Sequence, residues 1–157
     1  MGRLTPRFSA NRTVREYTER YCIPAAAGYQ KRAANRGAMG AQLGYWQHAL
    51  EQNWSKLRFD EVKVASDEEK HTVEVQVYFG GLDPNALRVE LYADGANGAE
   101  PIRQEMTRGQ RLAAGDGYLY SEQVRAIRPA SDYTPRVIPK HLGVAVPLEA
   151  SRILWPR

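Results

Sequence analysis

Apolar positions recur at spacings of three and four along the first third of the chain, and at a spacing of two beyond it. Val14, Tyr17 and Tyr21 fall on one helical face. Ser9 or Asn11 caps the start of that helix, because a short oxygen-bearing side chain accepts a first-turn N–H. Pro24 lacks the N–H that a helix interior needs, so the helix is expected to break or restart there. An Ala-rich second helix over about 25–35 ends at Asn35-Arg36-Gly37 and Gly40. Leu43, Trp46, Leu50, Trp54 and Leu57 then recur at 3, 4, 4 and 3, an apolar seam along one helix. Two tryptophans on one face can stack on sugar rings, but a stripe at this spacing is more often core.

At Phe59 the period changes. Phe59, Val62 and Val64 predict a first strand with an irregularity near its start. In His71-Thr72-Val73-Glu74-Val75-Gln76-Val77-Tyr78-Phe79 the apolar set Val73, Val75, Val77 and Phe79 faces inward, with Glu74 and Gln76 outward. Leu87-Arg88-Val89-Glu90-Leu91-Tyr92-Ala93 repeats this alternation. Gly80-Gly81-Leu82-Asp83-Pro84 and Asp94-Gly95-Ala96-Asn97-Gly98 are turns. Further strands are expected around 102–107, 118–127, 132–138 and 144–154. About seven short strands with one polar side predict an antiparallel sandwich whose outer faces meet solvent. Asp132-Tyr133-Thr134-Pro135-Arg136-Val137-Ile138-Pro139 is similar to a late strand of an immunoglobulin-like domain, where a corner Tyr ties its hydroxyl to the backbone. Pro135 and Pro139 place that strand at an edge or interrupt it. The expected fold is α+β: a helical segment over 1–57, then an antiparallel immunoglobulin-like β-sandwich over 58–157.

Composition is near the globular average, with 43% hydrophobic and 25% charged residues in a chain of 157. No apolar run approaches the roughly 20 residues of a membrane helix. The lone Cys22 forms no internal disulfide, and the N-terminus has no signal-peptide pattern, so a cytoplasmic location is expected. The net charge of +4 is uneven: residues 1–57 carry +6 and the remainder −2. A basic arm can mark nucleic-acid binding. Here the aromatics sit at helical core spacing instead of among the basic residues, so such a partner is disfavoured.

Motifs of catalysis are missing. His48, His71 and His141 fall in different elements and offer no metal-ligand spacing. There is no Gly-x-Ser-x-Gly elbow. Cys22 lies between Tyr21 and Ile23 and is expected to pack as a small hydrophobe, not to act as a nucleophile. Asp67-Glu68-Glu69 is a charge run in a turn, not a carboxylate pair across a cleft. The glycine-rich stretches lack the Lys-Ser/Thr of a phosphate loop. No catalytic, cofactor-binding or metal-binding residue is therefore assigned.

The segment Pro6-Arg7-Phe8-Ser9-Ala10-Asn11-Arg12-Thr13-Val14-Arg15-Glu16-Tyr17 resembles the end of the catalytic region of α-glucan (glycogen) phosphorylases. There a Phe-Ser-Ser-Asp-Arg-type turn opens a helix with a Glu-Tyr pair. Ala10 and Asn11 stand here where Ser and Asp are frequent, and Asn keeps the capping capacity. The strand around Tyr133 and the Ile138-Pro139-Lys140-His141 run look like the β-rich extension of some members. The resemblance implies a non-catalytic C-terminal segment of an enzyme that splits terminal α-1,4-linked glucose with inorganic phosphate, giving glucose 1-phosphate. It implies pyridoxal phosphate in that parent and none in this chain. Phe8, Ser9, Asn11, Arg12, Glu16 and Tyr17 form the structural motif: Ser9 and Asn11 begin the helix, Arg12 and Glu16 tie it, and Tyr17 packs on the catalytic body. The expected partner is the catalytic domain of the same polypeptide. An α-glucan and a second copy are further candidates, the latter because the Tyr17/Tyr21 face would be uncovered in isolation. The alternative is a free-standing carbohydrate-binding module, with Tyr92, Tyr118 and Tyr120 as glucan contacts in one planar patch.

Overall fold

The computed structural model describes residues 9–113 and 115–156. The chain divides into two compact units, Met1–Tyr45 and Trp46–Arg157.

In the first unit helix α1 spans Ala10–Tyr17. Its cap is Ser9, whose backbone is extended and whose Oγ accepts the Arg12 N–H at 3.3 Å. Asn11 lies inside the helix. Arg12 and Glu16, one turn apart, approach to 3.4 Å. At Pro24 the helix restarts without a break in the chain's helical course. A π-helical turn, Thr18–Cys22, carries the chain directly into helix α2, Ile23–Asn53. The Ile23 N–H reaches back to the Thr18 carbonyl, so the ladder has already left α register when Pro24 arrives. Pro24 then takes the second position of a new helix, where its missing donor costs little. The interruption comes at Ala34, Asn35, Arg36 and Gly37: Ala34 is extended, and the next three have φ of 51°, 57° and 78°. This is the end expected from Asn35-Arg36-Gly37, since Asn and Gly tolerate the left-handed region. Gly40 lies within the helix that follows.

In the second unit the last turns of α2 pass through a 3₁₀ turn, Trp54–Lys56, into the strands. Trp46, Leu50 and Leu57 are buried as their spacing predicts. Trp54 is only half-buried. The seam assumed 3.6 residues per turn throughout, and the 3₁₀ turn tightens to 3.0 at Trp54, which rotates that side chain off the stripe. Trp46 donates its Nε1–H to the Ala86 carbonyl at 3.4 Å and packs on His141 with ring centroids 5.2 Å apart.

Seven strands follow among the described residues: β1 Arg58–Ser66, β2 Lys70–Tyr78, β3 Leu87–Ala93, β4 Ile102–Glu105, β5 Thr107–Arg111, β6 Gly117–Arg125 and β7 Thr134–Pro139. They form one antiparallel sheet of order β1-β2-β6-β5 and another of order β4-β3-β7. The strand expected over 102–107 is two strands. Met106 is buried between them, and there the chain crosses from one sheet to the other. Val73, Val75, Val77, Phe79, Leu87, Val89, Leu91, Ala93 and Val137 form the core, as alternation places them. Phe59 pairs with Val77 and Val62 with Val75, so β1 carries one extra residue between them, the expected irregularity.

Three expectations fail here. The 144–154 segment makes no strand; only Leu154 bridges to Val137, exchanging two hydrogen bonds of 2.9 Å. Residues 135, 137 and 139 point their backbone nitrogens away from β3, and two of them are prolines. Val137 is the single donor on that edge of β7, so a longer ladder lacks donors. Second, the Tyr133 ring is buried in a T-shaped contact with His71, at 6.3 Å between centroids, and among the described residues no hydrogen bond ties its hydroxyl to the backbone. Third, Glu90 sits on the side of β3 expected to meet solvent, yet it is buried beneath Arg88 and Arg136.

Candidate functional site

The residues of the N-terminal motif are close together along one helix. Ser9, Asn11, Arg12, Glu16 and Tyr17 belong to the capped first helix, and Phe8 lies outside the described residues. Arg12 and Glu16 are each close to half exposed, so their ion pair is screened and weak. Val14, Tyr17, Tyr21 and Ile23 are each more than half exposed. The Tyr17 and Tyr21 rings lie 5.4 Å apart. A run of large apolar side chains in water is the mark of a surface that meets a partner.

The three tyrosines named for glucan contact are not brought into one patch. Tyr92 lies in the β4-β3-β7 sheet, and Tyr118 and Tyr120 lie in the other. Tyr120 is 5% exposed and packs on Phe79, and burial raises its phenol pKa above the ordinary value. Tyr118 also meets Phe79 and has the Arg108 guanidinium over its ring. The Tyr92 hydroxyl donates to Asp94 at 2.9 Å, a bond that raises its pKa. None of the three offers a free flat ring.

An aromatic cleft lies elsewhere in the second unit. It has a volume of about 690 Å³ and is bounded by the Trp54 turn, the start of β1 and the C-terminal strand bridge. Trp54, Phe59 and Trp155 line it together with Ser55, Arg58 and Asp60. Trp155 is placed by its neighbours: its ring meets Tyr92 edge-on at 5.7 Å, and the Arg136 guanidinium lies 5.4 Å from its centroid. The Arg58 guanidinium stacks 4.1 Å over Tyr78. Sequence reasoning missed this cleft because Trp54 reads as seam, Phe59 as strand, and Trp155 falls in a segment with no alternation. The legible signal was the shift of parity between Phe59 and Val62, which marks the bulge beside Asp60.

Among the described residues no lysine has the surroundings of a pyridoxal phosphate Schiff base. All five lysines are exposed. Lys56 bonds Asn53, Lys63 pairs with Glu61, Lys70 bonds Gln123 and Lys140 pairs with Glu105, while Lys31 lies on the outside of α2. A Schiff-base lysine needs instead a desolvated pocket. Among the described residues no group of His, Cys, Asp and Glu is arranged to hold a metal ion. No described helix is long and apolar enough to cross a membrane.

Comparison with known proteins identifies what these elements belong to. The maltodextrin phosphorylase of Thermococcus litoralis is 27% identical over 146 residues, covering 88% of this chain and 17% of that protein. The glycogen phosphorylases of Mycobacterium tuberculosis and Mycobacterium bovis are each 25% identical over 151 residues, with the same coverage. The chain thus spans about 17% of the length of the curated relatives it matches. The family described as the glycogen phosphorylase C-terminal domain matches residues 54–157, which take in the 3₁₀ turn, all seven strands and the cleft. On that match over most of its length, the chain belongs to the glycogen phosphorylase C-terminal domain family.

Proposed function

We propose that this chain is the non-catalytic C-terminal segment of an α-1,4-glucan phosphorylase, a cytoplasmic enzyme that releases terminal glucose as glucose 1-phosphate. Residues 1–57 serve as the helical segment that leans on the catalytic domain, and residues 58–157 as an immunoglobulin-like β-sandwich that supports the fold and assembly of the whole. Pyridoxal phosphate belongs to the catalytic domain. The observation that carries this reading is the exposed row Val14, Tyr17, Tyr21 and Ile23 in a chain whose relatives are several times longer. Such a row is costly in water and is accounted for by a catalytic body that covers it. A second copy of the chain could cover it as well, which would make a homo-oligomer. The free-standing carbohydrate-binding module explains neither the helices nor the family match.

The test is the mass of the native polypeptide, detected with an antibody to the sheet unit. A band several-fold heavier than 17.7 kDa is expected, with phosphate-dependent release of glucose 1-phosphate from maltodextrin by the purified full-length protein. Tyr17→Glu and Tyr21→Glu together should lower its thermal stability, because they force charge into a buried contact. A native band at 17.7 kDa, or a full-length protein without phosphorolysis, removes the reading.

A further inference from the structure

Resting on the reading of the parent as an α-glucan phosphorylase, we infer that the cleft between the Trp54 turn, the start of β1 and the C-terminal bridge binds an α-1,4-glucan chain. Trp155 and Trp54 serve as stacking platforms, and Asp60 and Arg58 hold sugar hydroxyls.

A pyranose ring presents flat C–H faces and a rim of hydroxyls that both donate and accept. Its receptor needs aromatic faces beside polar groups not already committed to the protein. The cleft holds both. Trp54, Phe59 and Trp155 supply the rings, and Trp155 remains 39% exposed even with Tyr92 and Arg136 against it. Those two contacts fix the ring before any ligand arrives, which lowers the entropy lost on binding. Asp60 has no hydrogen-bond or ion-pair partner among the described residues. Its neighbour Glu61 is engaged by Lys63 at 3.0 Å and by Gln76. The extra residue of β1 falls at this pair, and a bulge turns a side chain out of the regular alternation. Arg58 stacks on Tyr78 and has no carboxylate partner among the described residues.

Charge narrows the ligand class. Among the described residues Arg58 and Asp60 are the charged residues lining the cleft, and the Arg58 guanidinium is drawn over Tyr78, an arrangement that does not build a cationic cradle for a phosphate or a nucleotide. An apolar protein segment would leave Asp60 and the tryptophan N–H groups without partners as water left. A neutral polyhydroxyl chain satisfies both. The volume of about 690 Å³ is in the usual range for a small-molecule site and admits part of a longer chain through its open side.

The experiment titrates the 157-residue chain with maltohexaose, and with β-linked cellohexaose as control, following tryptophan fluorescence and heat. A saturable response to maltohexaose alone is expected. Trp155→Ala and Asp60→Asn should each weaken it by about tenfold or more, which corresponds to about 1.4 kcal/mol. Asp60 is exposed, so Asp60→Asn should leave the circular dichroism and melting temperature unchanged, and Trp155→Phe keeps an aromatic contact with Tyr92 if Trp155→Ala unfolds. A folded chain that ignores maltohexaose, or one whose binding survives Asp60→Asn and Trp155→Phe unchanged, overturns the inference. So does a full-length protein in which those variants loosen the catalytic domain without touching glucan affinity. Phosphorolysis by the full-length protein is measured alongside: its presence without cleft binding removes the cleft alone, and its absence removes the parent reading.

Discussion

Arg136 on β7 donates two hydrogen bonds to the carboxylate of Glu90 on β3, directly across the sheet register, and Glu90 is only 1% exposed. On the other side Arg88 Nε stands 2.9 Å from the second oxygen, within ion-pair range but not aligned as a hydrogen bond. Arg136 also lies 4.1 Å over the Tyr92 ring, which links the buried acid to the aromatic pair Tyr92 and Trp155. Glu90→Ala removes the shared anion and leaves the largely buried Arg136 unpaired. The expected loss of unfolding free energy is about 3 kcal/mol. The Arg88 side chain is a third exposed, so Arg88→Ala should cost under about 1 kcal/mol. Urea denaturation of both variants checks the ordering, and equal losses would show that Arg136 does not dominate the site.

Gly80 makes the first turn after β2 in a left-handed conformation, φ +59°, with the Lys56 backbone against it. A Cβ there would stand 2.3 Å from the Lys56 Cβ and 2.8 Å from its carbonyl carbon, so the 3₁₀ turn would have to move. Gly80→Ala should therefore destabilise by about 2 kcal/mol or more, from φ strain and overlap together. Gly28, within α2, has open space around its would-be Cβ. Gly28→Ala should stabilise its helix by about 0.5–1 kcal/mol. Opposite signs from the same substitution, read by thermal melts, separate a turn that needs glycine from a helix that tolerates it.

Much of this fold was legible because alternation reports burial directly. The β2 and β3 rows occupy the core as their period requires, and the parity shift after Phe59 announced the bulge. The helix end at Asn35-Arg36-Gly37 was legible for a local reason, since Asn and Gly accept positive φ. What escaped depends on neighbours distant in sequence. Pro24 is rescued by a π turn that no residue type advertises. The tail strand fails because the prolines of β7 remove the donors it would need. Glu90 is buried because an arginine 46 residues away lies opposite it. The cleft draws Trp54, Asp60 and Trp155 from three segments, each of which reads alone as seam, strand or tail.

Asp67 shapes the β1–β2 turn by accepting the backbone N–H groups of Glu69 and Lys70 at 2.9 and 2.8 Å. The Glu69 bond, then the Lys70 bond, hold its carboxyl below the ordinary value of 3.8. The folded state thus favours the ionised form. Its contribution to stability is full above pH 3.8 and is lost as the pH falls through the lower folded-state value. Carboxyl NMR titration should find Asp67 among the more acidic aspartates, and Asp67→Asn should flatten the acid limb of the stability curve. An unshifted Asp67 carboxyl would mean the turn is held by its backbone pairs alone.

Tyr45 and Trp46 are adjacent and aromatic, yet they should respond oppositely to truncation. Trp46 is 7% exposed, bonds the Ala86 carbonyl and packs on His141, so its removal leaves a cavity and an unpaired acceptor. Trp46→Ala should cost about 3–5 kcal/mol. Trp46→Phe keeps much of the packing and should cost less, with the lost indole bond contributing about 1 kcal/mol. Tyr45 is 78% exposed, and Tyr45→Ala should change stability by no more than about 0.5 kcal/mol in this chain. The same Tyr45 variant made in the full-length protein is the sharper probe. A loss there that is absent here would mean that the parent polypeptide buries this ring, and equal insensitivity in both would leave the covered surface to Val14, Tyr17, Tyr21 and Ile23.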